Sequence, residues 1–353
     1  MTIGLIIVLA LIFILPFAFR PIEHNLEYFL LVMGMAAVII SGTLSFDLIL
    51  HIFQNYLLYF ITVAVLVAGL IFRISIEKIK TFVNYATTKM PITLFTFLLI
   101  VVLGLVSSLI TAIIAALVLV EIVHALPLNR RQKVMINVIS CFSIGLGAAL
   151  TPIGEPLSTI VVSALNVDFL YLLRSIGIYV IPCIIALGLL GALYIVRSTK
   201  ADKANAELDG ESKAVVQSEE IIERESLKAV FIRAFKIFLF IIALELLGSG
   251  FKPLINTYII HLDSRLLYWI NMSSAVLDNA TIAAAEISPI MSLKQIQAIL
   301  MGLLISGGML IPGNIPNIIS AGKLNIKSRE WAKIGLPLGL ILLAIYFVVL
   351  FLF

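Results

Sequence analysis

The chain predicts an all-α polytopic membrane protein built from two inverted repeats, each with a re-entrant helical hairpin and a broken transmembrane helix. Composition is the first observation behind this: 61% of residues are hydrophobic, 12% are charged and mean hydropathy is +1.16, whereas soluble domains hold about 45–50% apolar and about 25% charged residues. The second is a rare pattern that occurs twice in apolar sequence, Gly147-x-x-x-x-Pro152-x-x-x-Pro156 and Gly307-x-x-x-x-Pro312-x-x-x-Pro316. Proline removes a backbone donor and clashes with the preceding turn, so a helix break at bilayer depth persists only where protein or a water-filled cavity satisfies the freed groups. The third is the distribution of Lys and Arg, which separates the two faces of the membrane.

The elements follow in chain order. Apolar runs of roughly the 20 residues needed to cross a ~30 Å core cover about 2–20, 25–43, 54–72, 133–165, 170–196, 229–249, 293–322 and 331–353. The first, Thr2 to Phe19, has no basic stretch before it and no small-residue cleavage site after it, and reads as a retained span. Residues 90–126 and 253–290 are too long for one crossing and have small polar midpoints, Ser107-Ser108 and Ser273-Ser274. They read as re-entrant hairpins, because arms of roughly 17 residues are marginal spans and no charged loop divides them. Two ordinary spans apiece, with the same sidedness, are the alternative. Segment 197–228 is rich in Glu, Lys, Ala and Ser, with Asp209-Gly210 at its centre, the composition of a solvated linker. The expected organisation is an N-terminal helix pair (1–53), a first repeat (54–196: span, hairpin 90–126, broken span 133–165, span), a cytoplasmic linker (197–228) and a second repeat (229–353: span, hairpin 253–290, broken span 293–322, span).

With the N-terminus outside, only Arg174, Lys252, Arg265 and Lys294 of the 24 Lys and Arg residues fall on the outer side, as expected when basic residues are retained in cytoplasmic loops. The first repeat then starts outside and the second inside, which makes them inverted. In such pairs the binding site lies near the midplane, where half-helix N-termini favour negative groups and unwound carbonyls favour cations. A multi-pass protein of the cytoplasmic membrane is expected, with the lipid bilayer as its surroundings. The net charge of +4 belongs to loops and implies no nucleic acid partner. Cys141 and Cys183 lie in apolar runs and indicate neither a disulfide framework nor a metal motif, and His24, His51, His124 and His261 are scattered.

Ionisable groups at membrane depth are costly and tend to be functional. Asp278 stands at a hairpin tip beside Asn279, Ser273 and Ser274, an oxygen-rich group suited to a hard cation such as Na⁺; capping the returning arm is its plainer role. Glu155 falls inside the first break between Gly154 and Pro156, where it could ligate a cation, carry a coupled proton, or cap the half-helix that starts at Pro156. The second break, around Gly313, offers Asn314 and Asn317, neutral amides whose oxygens coordinate a cation without altering charge; turn formation at Pro-Gly-Asn is the other account. The first hairpin tip has only Ser107, Ser108 and Thr111, so the site is expected to be asymmetric. Glu121, Glu245 and Glu286 read as structural pairing.

The stretch Ser273-Ser-Ala-Val-Leu-Asp278-Asn279-Ala-Thr281 resembles the hairpin motif of NhaD-type sodium/proton antiporters and of arsenite permeases, and Leu150-Thr-Pro-Ile-Gly154-Glu155-Pro156 resembles their Thr-Pro-Ile-Gly break. Both groups belong to the ion transporter superfamily, and size and motifs together are similar to a bacterial and archaeal family of cation transporters. The resemblance covers the two hairpin-plus-break units, about half of the chain. It implies a scaffold domain that dimerises, a transport domain that carries the hairpins, a homodimer and elevator-like movement.

No His-Glu-x-x-His, Gly-x-Ser-x-Gly, P-loop or dinucleotide fingerprint occurs, so an enzyme is not expected. Nor is a cofactor, Na⁺ and H⁺ being transported ions. The expectation is a secondary active transporter, a sodium/proton antiporter in which the metal cation and protons compete for Asp278 with help from Glu155. The alternative is a cation-coupled symporter of a carboxylate or oxyanion. No Lys or Arg lies in either hairpin tip or break, which argues against it, although half-helix N-termini bind anions without cationic side chains.

Overall fold

The computed structural model describes residues 1–353 apart from 24, 56–57, 60–61, 64–65, 68, 72, 75–80, 82–88, 207–225, 255–256, 259–260, 276–278 and 353. Asp278, His24, the centre of the expected linker and much of the span expected at 54–72 therefore lie outside the described residues. Regular structure is helical, with no strand among the described residues. In order the helices are α1 (Thr2–Ala18), α2 (Arg20–Glu23), α3 (Leu26–Ser41), α4 (Phe46–Gln54), α5 (Ile92–Ile110), α6 (Ala112–Ala125), α7 (Arg130–Ala148), α8 (Pro156–Leu165), α9 (Tyr171–Ala206) and α10 (Leu227–Leu254). There follow α11 (Ser264–Ile270), a 3₁₀ turn (Asn271–Ala275), α12 (Asn279–Glu286), α13 (Leu293–Gly307), a second 3₁₀ turn (Ile311–Gly313), α14 (Ile315–Lys323) and α15 (Ser328–Leu352). Among the described residues, three helical stretches are long and apolar enough to cross a membrane: Ile92–Ile110, Tyr171–Ser198 and Ser328–Leu352.

Local chemistry starts α7 and α13 in the same way. The Asn129 side chain accepts from the Gln132 backbone at 3.0 Å while Gln132 Oε1 accepts from the Asn129 backbone at 3.0 Å. Ser292 and Gln295 repeat the exchange at 3.3 and 3.0 Å. Two helical donors that lack intrahelical partners are satisfied at each start. Both helices then run to a break, α7 into α8 across residues 149–155 and α13 into α14 across 308–314.

Packing puts the two breaks at the centre. Helix α5 lies along α7, and α11 with its 3₁₀ turn lies along α13. The returning arms cross over: α6 packs on α14, and α12 packs on α8. Helices α1 and α3 gather on α10, which reaches the rest through α8 and α12. Small residues permit these close approaches. A methyl group at Gly147 would overlap the Gly104 carbonyl of α5, and one at Gly34 would lie 2.8 Å from the Ala243 carbonyl oxygen of α10.

The first hairpin turns at Thr111, while Ser107 and Ser108 sit in the last turn of α5. Thr111 adopts φ 76°, ψ 146°, a positive φ that is strained for a β-branched residue. Three bonds hold it there. Ala112 N–H donates to the Gly154 carbonyl at 2.7 Å, Thr111 Oγ1 accepts from Ile114 N at 3.4 Å, and Thr151 Oγ1 donates to the Ser108 carbonyl. Hairpin tip and first break are thereby one structure.

Candidate functional site

The two breaks are built alike, but one residue out of step with the Gly-Pro-Pro pattern. That pattern pairs Gly147 with Gly307. Hydrogen bonding instead pairs Ala148 with Gly307: Ser158 Oγ donates to the Ala148 carbonyl at 3.3 Å, and Asn317 Nδ2 donates to the Gly307 carbonyl at 2.8 Å. Gly154 N–H reaches back to the Thr151 carbonyl at 3.1 Å as Gly313 N–H does to that of Leu310 at 3.3 Å. Glu155 and Asn314 then coincide as the residues before α8 and α14, with φ/ψ of −154°/161° and −155°/147°. Pro156 is the first residue of α8 and Pro316 the second of α14; both positions lie in the first turn, where a missing N–H costs little.

Alike in backbone, the breaks differ in their buried polar groups. In the first unit the hydroxyls at the hairpin tip and the break are bonded to protein. Ser107 Oγ donates to the Gly104 and Ile144 carbonyls at 2.6 and 3.0 Å, Thr159 Oγ1 donates to the Pro152 carbonyl at 2.8 Å, and Gly147 and Gly154 are pressed against backbone with no room for a methyl group. In the second unit Asn317 Nδ2 ties the Gly307 and Leu310 carbonyls at 2.8 and 2.9 Å. Four buried atoms there have no hydrogen-bond partner among the described residues: Asn271 Oδ1, Ser274 Oγ, Asn279 Nδ2 and Asn317 Oδ1. Ser274 and Asn317 are 0% exposed and Asn279 3%. Buried polar groups in folded proteins are almost always paired, so unpaired ones in one place point to a bound group.

Two of these atoms converge. The point where a side chain on Gly307 would begin lies 3.6 Å from Ser274 Oγ, 3.8 Å from Asn279 Nδ2 and 3.1 Å from the Gly313 carbonyl oxygen. Glycine at 307 leaves a cradle lined by a hydroxyl, an amide and a carbonyl at the C-terminal end of α13, the negative end of that helix. The Asn279 amide, turned over, offers a third oxygen. A hard cation takes such ligands. Asp278 directly precedes Asn279 in the chain and lies outside the described residues.

The remaining expected positions distribute as follows. Glu155 is 5% exposed and Asn314 3%, yet neither side chain accepts a capping bond from the helix it precedes. Asn314 Nδ2 instead abuts α7, 2.5 Å from where a methyl on Gly145 would stand. Ser273 and Pro312 are exposed, while Pro152 and Pro316 are buried and Pro156 is half-buried. Glu245 accepts from Asn55 Nδ2 at 2.8 Å and from Ser163, and Glu286 accepts from Asn271 Nδ2 at 2.8 Å, the pairing expected of them. Glu121 is half-buried on α6, and His51, His124 and His261 are exposed. Cys141 and Cys183 are buried and free. Sequence reasoning missed Asn137, Cys141 and Ser320, a buried group joining α7 to α14. The four-residue spacing of Asn137 and Cys141 on α7 and the three-residue spacing of Asn317 and Ser320 on α14 were the available signal.

Fold and site together define, among the described residues, an all-helical protein with three helices long and apolar enough to cross a membrane and two interrupted helices. The chain belongs to the family described as protein of unknown function (DUF1646), which matches it over residues 2–353. Among curated proteins no match is found.

Proposed function

We propose that this protein is a secondary active transporter of the cytoplasmic membrane that exchanges a monovalent cation, Na⁺ foremost, for protons. The cradle at Gly307 carries the reading: unpaired buried groups converge beside a helix C-terminus, within a break that holds no basic side chain. With Asp278 supplying the charge and Glu155 a second titrating carboxylate, cation and proton compete for the same groups, and competition suffices for exchange. Charged carboxylates hold Na⁺; protonated ones let the empty carrier return in neutral form.

Membrane arrangement is part of the proposal. The inverted repeats correspond to α5–α9 and α11–α15, each with a hairpin, a broken helix and a closing span, preceded by a span at 54–72 and by α10. Polar contacts between elements agree with the sidedness drawn from Lys and Arg. Lys236 meets Glu27 at 2.6 Å and Arg130 meets Glu330 at 3.2 Å, both pairs on the inner side, while Lys294 with the Leu350 carbonyl and Arg174 with Asp168 are on the outer. In this reading α1, α3 and α10 belong to a dimerising scaffold and the hairpins and breaks to a transport domain of elevator type.

One observation favours a cation-coupled symporter of a carboxylate or oxyanion: the N-terminus of α14 carries no side-chain cap, and uncapped N-termini bind anions. Glu155 at the matching end of α8 works against it. Proteoliposomes with an internal pH dye, challenged in turn with Na⁺, Li⁺, K⁺ and carboxylates, test the choice. Exchange predicts alkalinisation or acidification driven by a metal cation alone. Na⁺-dependent accumulation of labelled citrate, succinate or arsenite would replace the antiporter with the symporter.

A further inference from the structure

A second polar feature starts at the same break and leads away from the cradle. Helices α7 and α14 lie antiparallel. Asn314 stands against Gly145, Cys141 Sγ reaches the Pro316 carbonyl at 3.7 Å and Ser320 Oγ at 3.1 Å, and Asn137 Nδ2 donates to Ser320 Oγ at 3.0 Å. Farther along, Arg130 donates to the Leu324 and Asn325 carbonyls at 2.6 and 2.8 Å. Apolar helices would pack here with Leu and Val; this seam is lined by amides, a hydroxyl and a thiol. Asn137, Asn317 and Ser320 are 0% exposed.

The polar balance of the seam is one-sided. Four of its side-chain donors reach acceptors: Asn137 and Cys141 as above, Ser320 Oγ the Asn317 carbonyl at 3.4 Å, and Asn317 Nδ2 two carbonyls of the break. What is left over is acceptors, Asn137 Oδ1 and Asn317 Oδ1, which receive no hydrogen bond from any described residue. Amide oxygens without donors suit a hard cation and its water. They follow one another from the break toward the end of α7 that holds Arg130, Arg131 and Lys133, the inner end by the count of basic residues. Arg130 at that mouth is neutralised by Glu330 at 3.2 Å.

We propose that the α7–α14 seam is the inner access route of the transported cation, a hydrated file in which the Asn137 and Asn317 oxygens replace part of its water shell. The route rests on the cation-transport reading above. Cys141 borders it and provides the test. Ag⁺ is a thiophilic monovalent cation, and the full-length protein with Cys183→Ser, or Cys183→Ala should the serine variant not fold, leaves Cys141 as the sole thiol. Sealed vesicles of either orientation are exposed to Ag⁺ in nitrate buffer, and the thiol that survives is counted by mass spectrometry after denaturation and capping. Expected is loss of the thiol several-fold faster from the inner face, slowed by saturating Na⁺ and slowed again by Asn137→Leu. Equal rates from the two faces, no reaction, or no slowing by Na⁺ overturns the route. Because the readout is labelling, a protein that exchanges no Na⁺ for protons yet shows inner-face labelling slowed by Na⁺ refutes the antiport reading and keeps the route.

Discussion

At the residue scale the account turns on Gly307. A methyl there would stand 3.1 Å from the Gly313 carbonyl oxygen and 3.6 Å from Ser274 Oγ, filling the cradle while leaving every ligand in place. Alanine is favoured over glycine inside a helix by about 1 kcal/mol, which offsets the tight contact. Gly307→Ala should therefore weaken Na⁺ binding by about tenfold or more, a loss of at least ~1.4 kcal/mol, with an unchanged melting temperature. Calorimetry and thermal unfolding in detergent check both halves. Asp278→Asn should abolish cation-driven proton movement and keep the protein folded; wild-type exchange would remove Asp278 from the mechanism. Glu155→Gln keeps an oxygen and loses the titrating group, so Na⁺ affinity, expected to weaken as pH falls, should depend less on pH in the variant. Identical pH dependence would leave Glu155 only shaping the break. These residues were legible because acids and amides are rare in apolar sequence. Asn137 and Ser320 were not, since polar residues spaced along one face of a helix give no sign of their partner until α14 is laid against α7.

At the scale of elements, the two breaks allow the same substitution to be made twice with different results. The Gly-Pro-Pro pattern equates Gly147 with Gly307, yet a methyl at Gly147 overlaps the Gly104 carbonyl. Gly147→Ala should thus cost about 1–3 kcal/mol of stability or more, as overpacking does, seen as a lowered melting temperature, where Gly307→Ala costs none. Asn317→Ala strips the Gly307 and Leu310 carbonyls of their shared donor and should cost about 1–3 kcal/mol. The existence of both breaks could be read from the repeated glycine and paired prolines, a single proline not sufficing, since α9 and α15 run through Pro182 and Pro337. Their register could not, because proline is tolerated at either of the first two helical positions. Nor could the hairpin turn at Thr111, whose positive φ is held by its own hydroxyl and by the bonds of Ala112 to Gly154 and of Thr151 to Ser108, residues far away in sequence.

At the scale of the whole molecule, composition sufficed for a fold that is all-helical among the described residues, with helices long and apolar enough to cross a membrane, since at bilayer depth a helix satisfies its own backbone. The crossing of hairpin arms, α6 onto α14 and α12 onto α8, was beyond sequence because it depends on contacts between units far apart in the chain. That crossing gives the proposed cradle a path to both halves: it lies between the 3₁₀ turn of Asn271–Ala275 and α13, beside α12, which rests on α8, the helix that follows Glu155. The central claim, that cation and protons compete for one site, is tested most directly by proton release. Purified protein in weakly buffered detergent with a pH dye is given a step of Na⁺. The account predicts prompt, saturable proton release from wild type and none from Gly307→Ala or Asp278→Asn. Na⁺ binding without proton release across neutral pH, or equal release from Gly307→Ala, would contradict it.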